Sequence, residues 1–122
     1  MLLSEIKATL HAVAATGEDD AQLSQVDIST ACGSDLLSDV LAFVKDQSLL
    51  LTGLVNAQVI RTAEMMDIMA ICFVRGKEPT DEIIDLAREK GITVLTTEHP
   101  MYVTCGKLYA KGLGVNADAQ DL

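Results

Sequence analysis

Ser48-Leu-Leu-Leu-Thr-Gly-Leu-Val-Asn-Ala-Gln-Val-Ile-Arg-Thr62 decides the architecture of this chain. The apolar run Leu49 to Leu51 stops at Thr52-Gly53, and Asn56 then opens a helical pattern. Val59, Ile60, Ala63 and Met66 fall on one face of that helix. Strand, glycine turn and helix N-terminus together form the unit from which parallel α/β domains are built.

The same unit recurs on both sides. Met69-Ala-Ile-Cys-Phe-Val74 carries no charge, as expected of a strand covered by helices on both faces. After the polar loop Arg75 to Pro79, Thr80 begins a helix with Asp81 and Glu82 in its first turn and Arg88 and Lys90 in its last. That charge order suits the helix dipole, and Gly91 stands where a C′ glycine belongs. Ile83, Leu86 and Ala87 form its buried stripe. Ile92 to Thr96 is the next strand, and Thr97-Glu-His-Pro100 leads into a final helix with Val103, Leu108, Tyr102 and Tyr109. Gly106 inside that helix weakens it by roughly 1 kcal/mol relative to Ala.

Upstream, residues 3–11 read as a helix capped by Ser4, with Leu3, Ile6 and Leu10 on one face. Val13 to Thr16 is a short strand closed by Gly17 and the acidic turn Glu18-Asp19-Asp20. Val26 to Ala31 alternates as a second strand, and Cys32-Gly-Ser-Asp35 is a turn and cap. The helix that follows sets Leu36, Leu37, Val40, Leu41 and Val44 on one side, opposite Ser38, Asp39 and Lys45. The expected fold is therefore a single three-layer α/β/α domain over residues 1–113, with right-handed crossovers and a mainly parallel sheet. Residues 114–122 have no periodicity and read as a disordered acidic tail.

Composition narrows the function classes. With 122 residues the chain can bury one core, and with 49% hydrophobic residues it is not globally disordered. Aromatics are only 3%, so Leu, Ile, Val, Ala and Met must fill the interior. Nine Lys and Arg against 18 Asp and Glu give a net charge of -9. That charge repels phosphate backbones and anionic lipid, so neither nucleic acid nor a membrane is an expected partner. Charges in Met-Leu-Leu-Ser-Glu-Ile-Lys come too early for a signal peptide. No apolar run approaches the ~20 residues that span a bilayer. Cys32, Cys72 and Cys105 lack metal-ligand spacing, and reduced thiols in the cytoplasm are expected.

The chain is similar to DRTGG-domain proteins and, more distantly, to the N-terminal domain of HPr kinase/phosphorylase. The resemblance covers nearly the whole chain. It is carried by Leu3–Leu10 with Val13-Ala-Ala-Thr-Gly17, Ala31-Cys-Gly-Ser-Asp35, Leu49-Leu-Leu-Thr-Gly53, Ile71-Cys-Phe-Val-Arg-Gly76 and Val94-Leu-Thr-Thr97. It implies an α/β domain with a regulatory or assembly role, of a kind that accompanies CBS domains and phosphate-acetyltransferase regions without being their catalytic part. Stand-alone copies in anaerobic bacteria resemble accessories to hydrogenase and iron–sulfur gene sets. The Asp-Arg-Thr-Gly-Gly run of the family is absent, and only Thr52-Gly53 of it remains.

In open α/β sheets, ligands gather beyond the C-terminal strand ends, where helix N-termini offer free N–H groups to anions. That edge would hold Gly33, Ser34, Thr52, Gly53, Asn56, Arg75, Thr96 and Thr97. A nucleotide or phosphorylated metabolite could sit there. Equally, Gly53 could serve a tight turn, Asn56 and Ser34 could cap helices, and Arg75 could be solvated. There is no GxGxxG or Walker run. No metal or cofactor site is expected: His11 and His99 are remote in sequence, and the thiols fall in different elements. Cys72 reads as a small core residue. Cys105 and His99, six positions apart, do not share a helical face, so no nucleophile–base pair emerges. Asp19-Asp20 and Asp81-Glu82 read as a turn and a helix start. Met66 and Met69 are expected in the core, whereas Met65 with Tyr102 and Tyr109 would support self-association. Two functions fit: a non-catalytic homodimer that docks onto a partner enzyme or complex, and a sensor of a small phosphorylated ligand.

Overall fold

The computed structural model describes residues 1–43 and 48–115. Its sheet has five strands, β1 (Val13–Ala14), β2 (Thr30–Gly33), β3 (Ser48–Thr52), β4 (Ala70–Phe73) and β5 (Thr93–Thr96). They lie in the order β1-β5-β4-β3-β2, with β2 to β5 parallel and β1 antiparallel to β5. The helices are α1 (Leu3–Leu10), α2 (Asp20–Leu23), α3 (Leu37–Phe43), α4 (Ala57–Met65), α5 (Asp81–Glu89) and α6 (Met101–Ala110).

Side-chain alternation along the strands builds two cores. Leu49, Leu51, Ala70, Cys72 and Leu95 pack with α1, α2 and α6 through Leu3, Ile6, Leu10, Leu23 and Leu108. Leu50, Ile71, Phe73 and Val94 point the other way and meet Val40 of α3, Val59, Ile60 and Ala63 of α4, and Ile83 and Ala87 of α5. Every residue of β3 and β4 is buried, as a strand between two helical layers must be. The expected three-layer α/β/α architecture holds.

Local details differ from the sequence expectations. Ser4 does not cap α1: the N-cap is Leu2, and Leu3 N–H is already satisfied by the Val26 carbonyl at 2.8 Å. Ser4 lies inside the helix, accepting from the Ser24 hydroxyl at 2.9 Å. The acidic turn contains a helix, α2, whose first turn is capped by the Asp19 carboxylate accepting from Gln22 N–H. Val26 to Ala31 is not the second strand, which begins at Thr30. Residues 26–28 are tied to the N-terminus instead, through Leu3 N–H to Val26, Ile28 N–H to the Met1 carbonyl and a bridge between Leu2 and Asp27. Cys32 and Gly33 are consequently strand residues, not turn residues.

On α3, Val40 is buried but Leu41 is exposed, as is Leu36 just before the helix, so the expected stripe is narrower. Val44 and Lys45 lie outside the described residues. Met69 is exposed at the start of β4, not in the core. Helix α6 runs unbroken through Gly106. Leu113 beyond it is buried in the same core as α1 and α6, while residues 116–122 lie outside the described residues.

Candidate functional site

The C-terminal ends of β2, β3 and β4 converge on a residue that the sequence did not single out as a site, Asp35. Its Oδ1 accepts from the Gly53 backbone N–H at 2.7 Å and from the Thr52 hydroxyl at 3.2 Å. Its Oδ2 accepts from Arg75 Nη2 at 3.1 Å, with both side chains about half exposed. The Gly53 N–H is the main cause holding the Asp35 carboxyl below its ordinary value. Partial burial opposes that, and the Thr52 hydroxyl and the charges of Arg75 and Lys77 reinforce it.

Each partner is set by its own loop. Thr52 Oγ1 also accepts from Leu54 N–H at 3.0 Å, turning the chain out of β3 toward α4. Glycine at 53 lets the Arg75 guanidinium lie against the turn, where an added Cβ would displace it. Arg75 has the left-handed backbone (φ 64°) that an L side chain adopts at a cost of roughly 1 kcal/mol. Arg75 N–H donates to the His99 carbonyl at 2.8 Å, and Gly76 N–H donates to that of Thr97 at 2.9 Å. Those two bonds hold the strained turn in place.

Of the eight candidate residues, the structure brings together Thr52, Gly53 and Arg75. Asn56 caps α4, accepting from Val59 N–H at 3.0 Å, and the Ser34 hydroxyl accepts from Leu36 N–H at 3.0 Å. Thr97 is buried and donates to the Leu10 carbonyl at 2.8 Å, which ties the edge to α1. Thr96 pairs with Val13 and Phe73 inside the sheet. Gly33 faces α6, where a Cβ would come within 2.9 Å of Cys105 Sγ and 3.3 Å of Met101 Sδ. Asp35, the missed member, had one weak signal: an acidic residue just beyond a strand-end glycine. Asp, Arg, Thr and Gly thus meet in space from three separate loops.

The chemistry of this cluster is that of a filled anion site. A carboxylate of the chain itself takes the backbone N–H, the hydroxyl and one nitrogen of the guanidinium that a phosphate would use. Winding adds to this. Strands β2 to β5 are neighbours in chain order, so the parallel part has no point where the strand order reverses and opens a ligand crevice.

Thiol chemistry is not activated here. Burial pushes Cys72 up to about 12, and burial is also the first cause raising Cys32 and Cys105. Among the described residues no cluster of three His, Cys, Asp or Glu side chains could hold a metal ion, and no helix is long and apolar enough to cross a membrane. The His11 and His99 rings come to 6.2 Å between centroids.

No protein-family model matches the chain, and no curated protein matches it. Among solved structures, it is similar to the CBS and DRTGG domains of the regulatory region of Clostridium perfringens pyrophosphatase, complexed with its activator diadenosine tetraphosphate. The TM-score is 0.66 at 20% identity, over 88% of this chain and 45% of that one, so this chain spans under half of its neighbour's length. At that identity the likeness establishes a shared fold, that of a region containing a DRTGG domain.

Proposed function

We propose that this chain is a non-catalytic regulatory and interaction domain: a cytoplasmic homodimer that serves as accessory to an enzyme complex. The observation that carries this is the strand edge that answers itself, where Asp35 already accepts from the Thr52 hydroxyl, the Gly53 N–H and Nη2 of Arg75. A polar edge that answers its own hydrogen bonds needs no substrate, whereas exposed Leu36, Leu41, Met65, Tyr102 and Tyr109 leave apolar surface to be covered. The fold shared with a pyrophosphatase regulatory region supports a regulatory role, and the resemblance to DRTGG-domain proteins supports the same class. Sedimentation equilibrium of the purified chain tests the assembly. A mass of twice the 13.0 kDa chain is expected; a monomer at tens of micromolar would sink the homodimer.

A second function, sensing of a nucleotide or phosphorylated metabolite, is favoured by one observation: the similar structure holds a nucleotide activator. In this chain such a ligand would displace Asp35 from Gly53 and Arg75. A thermal-shift scan at about 100 times the dissociation constant should then show roughly 2.7 kcal/mol of stabilisation. Arg75→Ala and Thr52→Val should abolish that shift with the fold intact. A flat scan removes the sensor and leaves the docking domain.

A further inference from the structure

Gly106 sits in the middle of α6, where a Cβ would meet nothing within 4 Å. No left-handed backbone and no close contact within the described residues asks for glycine there, although glycine weakens a helix interior. Its neighbours on the same helix face are Tyr102, four residues before, and Tyr109, three residues after. Both rings are exposed, Tyr102 by 89%. The missing side chain therefore opens a gap in an aromatic stripe. The two tyrosine Cα atoms stand about 10 Å apart along the axis, room for a planar ring between them.

This stripe is one wall of a cavity of about 490 Å³ between α6 and the edge strand β2. Gly33 and Leu51 lie on the sheet side, and Leu113 and Gly114 line it from the chain's last described turn. The volume is that of small-molecule sites, and the lining is mostly apolar with a few polar groups. Among the described lining residues Lys107 alone is charged, and it is a cation in a chain of net charge -9.

We propose that this groove binds a small molecule with a planar aromatic or heteroaromatic ring and an anionic group. The ring lies against Tyr102, Gly106 and Tyr109, and the anion is drawn toward Lys107. A second copy of α6 is a poorer occupant, because a two-fold axis near Gly106 would bring Lys107 close to its own mate. The proposal shares with the sensor only the idea of a small ligand. It moves the site from the strand edge, since Gly33 is the one edge candidate that lines the groove.

The probe is 1-anilinonaphthalene-8-sulfonate, an aromatic ring system with a sulfonate, titrated into the intact chain and followed by fluorescence. One saturable site is expected. Gly106→Leu, which fills the gap with a better helix former, should weaken binding at least tenfold without lowering Tm. Lys107→Gln should weaken it several-fold and flatten its salt dependence, and Arg75→Ala should leave it unchanged. Wild-type affinity in Gly106→Leu, or binding without saturation, would overturn the groove. Dye displacement by inorganic phosphate that depends on Arg75 would also overturn it, by putting the ligand at the strand edge. Absence of dye binding together with loss of a dimer in Gly106→Leu would make this face a protein interface instead. The strand-edge sensor fails separately, by a flat scan with phosphorylated metabolites.

Discussion

At the scale of single residues, the contact among Asp35, Gly53 and Arg75 makes two sharp predictions. Gly53→Ala places a methyl group where the Arg75 guanidinium lies. The guanidinium is the free end of a flexible side chain, so it should swing away and surrender its pair with Asp35. Half-exposed pairs of this kind contribute about 1 kcal/mol or less. Gly53→Ala and Arg75→Ala should therefore each cost about that much in urea unfolding, and the double variant should cost little more than either alone. Full additivity would mean that the two residues do not act through one contact. Asp35 carries the second prediction. Its folded-state value lies below the ordinary 3.8, so its contribution is complete above the unfolded value and is lost as pH falls below it toward the folded one. Asp35→Asn should lower stability at neutral pH and flatten the fall in stability below about pH 4. An unchanged slope would show that the carboxylate titrates alike in both states.

Elements obey their own rules, and α6 supplies the cleanest test. Because a Cβ at position 106 meets nothing, Gly106→Ala should stabilise the chain by roughly 1 kcal/mol through helix propensity alone. A destabilised variant would show that the open space is filled in solution. This level also explains what the sequence could convey. The β3–α4 and β4–α5 units were legible because apolar run, cap and helical stripe are all local: Asn56 and Thr80 cap where their types suggest. The shift of β2 was not, because residues 26–28 alternate like a strand but spend their hydrogen bonds on Met1 to Leu3, a pairing set by distant chain. Asp35 was missed for the same reason, since its partners lie 18 and 40 residues away. Leu36 and Leu41 fit a helical stripe by spacing, yet α3 flanks the edge strand, and both side chains are exposed there. Periodicity reports which side could be buried, while burial depends on what arrives there.

For the whole molecule, the decisive fact is that the exposed apolar side chains are divided between the two helical layers. Leu41 and Met65 belong to α3 and α4 in one layer, whereas Tyr102 and Tyr109 belong to α6 in the other. A two-fold interface uses one surface twice, so one centred on the outer face of either helical layer leaves the other layer's face uncovered. If the α6 face holds a small ligand, self-association falls to the α3–α4 layer. Leu41→Glu and Met65→Glu, each adding a charge to a chain of net charge -9, should then return the sedimenting mass to 13.0 kDa. Tyr109→Glu should keep the dimer. Salt gives an independent check: two copies that each carry -9 repel, so screening should tighten an apolar interface on going from about 0.01 M to about 0.15 M ionic strength. Dissociation by salt would point to ion pairs across the interface. Dissociation by Tyr109→Glu with the other two variants intact would assign the interface to α6 and displace the ligand from its groove.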